Sequence, residues 1–157
     1  MGELLIGSDF RIAVTAAAEL FATAKDAYIV DGVLPPEEHD QETADGRPAT
    51  LEHCRRRLCR MLGADPTEPG ADPALVAWVY IRNVERLLTT ALKMLSHSHC
   101  GFDHLLIAGS GTPALKRWLG GSWEQLPEPV VLSEVFSPII SACLPAHAVA
   151  RLCAERC

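Results

Sequence analysis

An apolar stretch that ends in two closely spaced glycines constrains the fold of this chain more than any other feature. Residues 104–120 read HLLIAGSGTPALKRWLG, so Gly109, Ser110 and Gly111 separate a short hydrophobic run from a helical pattern. Glycine allows a positive φ and has no Cβ that would hold a ligand away from the backbone. The pattern predicts a buried strand, a tight turn and a helix N-terminus, an arrangement that can bind a nucleotide. A turn that only joins strand to helix is the alternative.

Size and charge exclude several classes of protein. With 157 residues, 48% of them apolar, the chain is predicted to be a single domain, residues 1–157, with a hydrophobic core. The net charge of −6 argues against nucleic acid or an anionic membrane as a partner. No apolar stretch reaches bilayer-spanning length, and residues 1–6 lack the basic start of a signal peptide. We therefore expect a cytoplasmic protein.

The six cysteines are predicted to be reduced, and several of them to be small core residues. Their spacing is not the dense, turn-rich spacing of a disulfide-stapled secreted fold. Four potential metal ligands lie close together, namely His97, His99, Cys100 and His104. Because their spacing matches no standard zinc pattern, we predict no metal site and interpret them as residues at a helix end.

Periodicity and capping signals predict an alternation of helices and strands. Helices are predicted at residues 14–30, 51–62, 73–96, 112–119 and 141–154, and strands at residues 3–6, 104–108 and 129–132. Thr50 and Asp72 are predicted N-caps, and Gly63 ends the second helix. Residues 32–49, rich in proline and acidic side chains, predict a long ordered loop. The final alternation predicts an α/β fold with a small, mostly parallel sheet packed by helices.

Several unusual strings resemble one protein family. They are AELFATAKDAY at residues 18–28, TADGR at 43–47, RLCRM at 57–61, LSEVF at 132–136 and PAHAVA at 145–150. In this order they resemble the hydantoinase/oxoprolinase-like family linked to tetrahydromethanopterin one-carbon transfer. Archaeal members of that family include the synthase that joins an aminomethylfuran diphosphate to γ-glutamyltyramine during methanofuran biosynthesis.

The resemblance implies a ribonuclease H-like fold of the actin-like ATPase type, in which two lobes clasp a nucleotide. This chain would be the truncated second lobe, and Gly109, Ser110 and Gly111 would correspond to its adenosine loop. The family's two acidic, glycine-rich phosphate motifs are absent from the sequence. ATP and Mg²⁺ are therefore expected only together with a complementary N-terminal lobe. That lobe, or a homo-oligomer, is the expected partner.

The resemblance also implies a site for a small-molecule substrate. Glu19, Thr23 and Asp26 are predicted to share one helix face, which would look into the cleft, with Glu19 and Asp26 as catalytic groups and Thr23 as a substrate-binding group. A solvated helix face is the alternative. In the long loop, Asp45 and Arg47 are predicted to bind substrate, with the Arg47 guanidinium pairing a diphosphate or carboxylate. A turn with an exposed arginine is the alternative there.

An arginine-rich helix follows the loop, with cations at Arg55, Arg56, Arg57 and Arg60. We interpret this run as a solvated face, neutralised by the upstream acidic residues Glu37, Glu38, Asp40 and Glu42. The expected function is that of a diphosphate-displacing transferase of methanofuran-type cofactor biosynthesis, inactive without the missing lobe. A non-catalytic interaction module or a degenerate fragment is the alternative.

Overall fold

The described part of the chain forms helices and two small sheets. The computed structural model describes residues 3–4, 14–15, 20–97, 103–120 and 127–156. The elements are β1 (Glu3–Leu4), β2 (Val14–Thr15), α1 (Ala24–Val30), α2 (Leu51–Arg60), α3 (Pro73–His97), β3 (Leu105–Ile107), α4 (Thr112–Leu119), β4 (Pro129–Val131), α5 (Leu132–Val135), α6 (Pro138–Ala142) and α7 (Leu144–Arg156). They group into two compact units, Met1–Ala91 and Leu92–Cys157. Within the described ranges, no helix is long and apolar enough to cross a membrane.

In the first unit, α1 and α2 pack against each other around a small buried cluster. Ile29 of α1, Cys54 of α2 and Ala49 of the intervening loop meet there. The Thr50 hydroxyl accepts a hydrogen bond from the backbone amide of His53 at 3.4 Å, which confirms the predicted N-cap of α2. The predicted loop over residues 32–49 is likewise confirmed.

The start of α1 differs from the prediction. Val14 and Thr15 pair antiparallel with β1, and the helix begins only at Ala24. The amide and the hydroxyl of Thr23 donate to the Asp26 carboxylate at 2.7 and 3.0 Å, so Thr23 is extended and marks the helix start. The predicted helix is therefore wrong for residues 14–15 and 20–23, although their apolar spacing is helical. Residues 16–19 lie outside the described residues.

The start of α3 follows its capping residues as predicted. The Asp72 carboxylate accepts from the amides of Ala74 and Leu75 at 3.0 and 3.3 Å, and Pro73 is the first helical residue. Proline fits this position because its missing amide hydrogen would have had no partner in the helix.

In the second unit, β3 and β4 pair in parallel, which confirms the predicted parallel arrangement at this point of the chain. Ile107 and Val131 are register partners and are both buried, whereas their neighbours Leu106 and Val130 are exposed on the opposite face. The described strands thus form two separate two-stranded sheets, one parallel and one antiparallel, within a mixed α/β fold.

The helix predicted over residues 141–154 is wrong in its boundaries, because the structure interrupts it at Cys143. Its first residues belong to α6, which the Ser137 hydroxyl caps by accepting from the amide of Ile140 at 3.3 Å. The second part, α7, has Pro145 in its first turn. Since proline has no amide hydrogen, it cannot donate to the carbonyl of Ser141, and the helix restarts.

Candidate functional site

A fully buried arginine joins three segments of the first unit. Arg57 of α2 is 0% exposed. Its Nε and Nη2 donate to Oδ1 of Asp26 in α1 at 2.9 and 2.6 Å, and its Nη1 donates to Oδ1 of Asp45 in the loop at 2.8 Å. The prediction of a solvated arginine face is therefore wrong for Arg57.

The partners of the arginines also differ from the prediction. The observed pairs are Arg57 with Asp26 and Asp45, Arg60 with Asp45, and Arg56 with Glu52. Among the predicted neutralising residues, Glu37 and Asp40 pair instead with Lys25. These two carboxylates therefore fasten the loop to α1 rather than to α2.

The sequence did contain a signal for the burial of Arg57. Arg57 lies three residues after Cys54 in the sequence. Residues three positions apart are neighbours on a helix surface, so this spacing places Arg57 beside the buried Cys54. A buried arginine requires anionic partners. The arginine-rich sequence of residues 55–60 does not show which carboxylates these partners are.

Asp26, predicted as a catalytic group, has both carboxylate oxygens engaged. Its Oδ1 accepts the two bonds from Arg57, and its Oδ2 accepts the two bonds from Thr23. The residue is 1% exposed. Asp26 thus holds α1 to α2 and caps α1, while its catalytic role stays a prediction. Glu19, the other predicted catalytic group, lies outside the described residues, and the predicted shared helix face is not formed because Thr23 precedes the helix.

Asp45, predicted to bind substrate, lies between two arginines at the edge of the same network. Its Oδ1 also accepts from the backbone amide of Arg47 at 3.3 Å, and its Oδ2 accepts from Arg60 at 3.1 Å. Burial alone would raise the pKa of the Asp45 carboxyl, but the bonds from Arg57 and Arg47 and the nearby positive charges hold it below its ordinary value of 3.8. The stabilisation from this carboxylate is therefore present above pH 3.8 and is lost as the pH falls through the lower folded-state pKa.

The loop that carries Arg47 is ordered by contacts at both ends. Glu37 bridges to Ala49 through its backbone, and the amide of Ala49 also donates to the carbonyl of Asp40 at 3.0 Å. At the tip, the carbonyl of Arg47 accepts from the Thr43 hydroxyl at 2.7 Å and from Nη1 of Arg57 at 3.4 Å. Arg47 itself is exposed. The structure therefore brings Thr23, Asp26, Asp45 and the backbone of Arg47 together around Arg57, a residue that had no predicted role.

A cysteine lies against the same guanidinium. Nη2 of Arg57 contacts Sγ of Cys54 at 3.4 Å, and Cys54 is fully buried. Burial and the neighbouring Asp26 raise the pKa of the Cys54 thiol to about 12, so it is protonated at neutral pH. Cys54 and Cys59 are buried free thiols, as predicted for core cysteines, whereas Cys143 and Cys153 are exposed. Cys100 and Cys157 lie outside the described residues.

The glycine turn has the predicted form. Gly109 has a φ of 99°, a conformation that side-chain-bearing residues rarely adopt. Its amide donates to the carbonyl of Ser141 at 3.0 Å, and its carbonyl accepts from the Thr112 hydroxyl at 2.7 Å. Ser110 and Gly111, at the start of α4, are exposed. Because Gly111 has no side chain, its exposed surface is backbone.

The turn offers no carboxylate to a metal ion, because residues 108–113 contain neither aspartate nor glutamate. A cavity of about 330 Å³ in the second unit lies at the amino ends of the strands, beside Leu105 and Pro129, whereas the turn follows the carboxyl end of β3. Ligands of parallel sheets bind at the carboxyl ends, so this cavity is not the predicted nucleotide site. Across the described ranges, no three His, Cys, Asp or Glu side chains are grouped as metal ligands. Residues 98–102, with His99 and Cys100, lie outside those ranges.

The sequence matches no protein-family model, and no curated protein matches it. The resemblance therefore rests on the five strings at residues 18–28, 43–47, 57–61, 132–136 and 145–150 alone.

Proposed function

We propose that this chain is the second lobe of an actin-like ATPase-type enzyme of methanofuran-type cofactor biosynthesis, a transferase that condenses an aminomethylfuran diphosphate with an amine substrate. The observation that carries the proposal is the loop at residues 32–49, which buried and half-buried ion pairs fasten while Arg47 at its tip is exposed. A guanidinium that extends from an ordered loop backbone is suited to bidentate recognition of a diphosphate. The TADGR string that resembles the family forms this tip.

The proposed chemistry is a displacement at carbon. The nucleophile of the amine substrate forms a bond to the methylene carbon beside the furan ring, and the bond from that carbon to the diphosphate oxygen breaks. The electron pair of the broken bond leaves with diphosphate, and the nucleophile releases its proton to solvent. Because negative charge increases on the leaving oxygen, a cation beside the diphosphate lowers the barrier. Arg47 is the proposed cation.

The glycine turn supports the proposed nucleotide-facing role of the second unit. Ser110 and Gly111 are exposed beside the N-terminus of α4, where an adenosine could approach without meeting a Cβ from Gly109 or Gly111. Such contacts supply no partner for a triphosphate or for Mg²⁺. We therefore propose that ATP and Mg²⁺ bind only when a complementary lobe, on the same or a separate polypeptide, supplies those partners.

Binding of inorganic pyrophosphate, the leaving group, tests the role of Arg47. In a titration followed by phosphorus NMR, we expect a Kd of about 1 mM, which corresponds to about −4 kcal/mol. Arg47→Ala should weaken binding about tenfold, because one charge-assisted hydrogen bond contributes roughly 1.5 kcal/mol. The matched control is Arg55→Ala, which removes an exposed arginine from α2.

The control should change the pyrophosphate Kd less than twofold if the loop holds a defined site. Equal losses from Arg47→Ala and Arg55→Ala would indicate attraction to general positive charge and would count against the proposal. An absence of binding to the wild-type chain would also overturn it.

A role in assembly is the second candidate, favoured by an exposed apolar sheet face. Leu106 and Val130 are register partners on β3 and β4, and they are 61% and 39% exposed. Parallel sheets usually have both faces covered, so this face is unusual for a free protein. We propose that a second copy of the chain covers it.

Light scattering at increasing protein concentration tests this assembly. The wild-type chain should form dimers or larger species, and Leu106→Glu should shift it to the monomer, because a carboxylate would be buried without a partner. Ile139→Glu is the matched control, since Ile139 is 78% exposed and lies on α6 rather than on the sheet. A wild-type chain that stays monomeric would rule out self-association, and assembly only with an added lobe would replace the second copy by that partner.

A further inference from the structure

We infer that Arg57 is a positioning residue, which fixes the tip of the loop at residues 43–47 so that Arg47 is held where the diphosphate binds. The identity of the ligand rests on the proposed function above, whereas the restraint on the loop tip does not. Arg57 had no predicted role, and it reaches the proposed site only through other residues.

The guanidinium of Arg57 has two sides with different partners. Nε and Nη2 face Asp26 and connect α2 to α1. Nη1 faces the loop tip, where it donates to the carboxylate of Asp45 at 2.8 Å and to the carbonyl of Arg47 at 3.4 Å. Nε and Nη2 therefore link the two helices, whereas Nη1 holds the loop at Asp45 and Arg47, the residues on either side of Gly46.

The two sides also differ in their access to water. The side chain of Asp26 is 2% exposed, whereas that of Asp45 is 17% exposed. Water that reaches Asp45 can replace its bond to Arg57, while the Asp26 pair stays dry. The loop tip can therefore come loose while α1 and α2 remain packed.

The remaining contacts of the tip do not replace Arg57. The bonds from Gly46 to the carbonyl of Thr43 and from Thr43 to the carbonyl of Arg47 are internal to the tip. The ion pairs of Lys25 lie further upstream, at Glu37 and Asp40. Within the described ranges, the remaining ion pair of the tip with α2 is Asp45 with Arg60, and the side chain of Arg60 is 43% exposed. An exposed pair of this kind contributes little.

Arg57→Lys separates the two sides of the guanidinium. A lysine ammonium can still pair with Asp26, but it lacks the planar fork that reaches two carboxylates at once. We expect the variant to fold, the hydrogen-bonded amides of Gly46 and Arg47 to exchange hydrogen at least tenfold faster, and the amides of α1 and α2 to keep their protection. Pyrophosphate should bind about tenfold more weakly although the net charge is unchanged, because the position of Arg47 is no longer fixed.

Asp45→Asn provides a second, sharper comparison. It removes the negative charge that pairs with Arg57 and Arg60, so charge alone predicts tighter pyrophosphate binding, whereas loss of positioning predicts weaker binding. The asparagine oxygen can still accept from the amide of Arg47, so the local turn is preserved. Arg60→Ala is the control, and it should change exchange at the tip less than twofold.

Three outcomes would overturn the inference, and a fourth would reject only the proposed function. Unchanged exchange of the tip in Arg57→Lys would overturn the inference, as would tighter pyrophosphate binding by Asp45→Asn. Faster exchange together with unchanged pyrophosphate affinity would also overturn it, because Arg57 would then restrain the loop without positioning Arg47. Faster exchange in a protein that never binds pyrophosphate would leave the restraint by Arg57 established, and would reject the proposed function instead.

Discussion

Arg57→Met is expected to lower the free energy of unfolding by about 3–5 kcal/mol, since removing one member of a buried ion pair leaves the other charge without compensation. Asp26 would keep a carboxylate whose side chain is only 2% exposed. Asp45 would lose its innermost partner at the same time. Methionine has a side-chain volume similar to that of arginine. The lower stability therefore reflects loss of the charge more than formation of a cavity. Urea unfolding followed by circular dichroism measures this change in the free energy of unfolding.

Arg56→Met is the matched control, one position away on the same helix. Arg56 pairs with Glu52 on the exposed side of α2, at 3.0 Å. Exposed pairs of this spacing contribute little, so the control should stay within about 0.5 kcal/mol of the wild type. If both variants unfold at the same urea concentration, the buried network does not hold the first unit together.

Gly109→Val is expected to cost about 2 kcal/mol or more, because a β-branched residue is strained at positive φ. The φ of Gly109 is 99°, and a Cβ placed there would meet nothing within 4 Å. The cost is therefore one of backbone conformation rather than of collision. Urea unfolding followed by circular dichroism measures the loss of stability.

Gly111→Ala is the matched control for the turn. Gly111 has a φ of −78° and also has open space around its Cβ position. Alanine adopts this conformation without strain, so the control should lie within about 0.5 kcal/mol of the wild type. Equal destabilisation by both substitutions would mean that side-chain bulk, and not the sign of φ, decides what the turn tolerates.

Features specified by neighbouring residues were predictable from the sequence. Thr50 and Asp72 were identified as caps, and Gly109 was placed at a turn between a strand and a helix. In each case the deciding contacts lie within about four residues, as capping and turn rules require. The start of α1 at Ala24 was missed although Thr23 and Asp26 form such a local pair, because the apolar spacing upstream suggested a longer helix.

The candidate site depends on contacts that no local rule specifies. Arg57 meets Asp26 across 31 residues and Asp45 across 12. Helical spacing could have placed Arg57 on the buried side of α2, but it could not have chosen among the acidic residues upstream. Glu37 and Asp40 were predicted to neutralise this run and instead pair with Lys25. The choice follows from how α1 and the loop approach α2, which only the folded chain determines.

Asp26 both caps α1 and pairs with Arg57 of α2, and this coupling affects how the first unit folds. The seven residues of α1 are too few for a helix that persists in water by itself. Its first turn is held by Asp26, and the same carboxylate is held by an arginine that follows 31 residues later. The intervening chain must therefore close into a loop, at an entropic cost, before Arg57 can hold the carboxylate that caps α1. We therefore expect α1 to form together with its docking on α2, as one cooperative event, rather than to act as the folding nucleus.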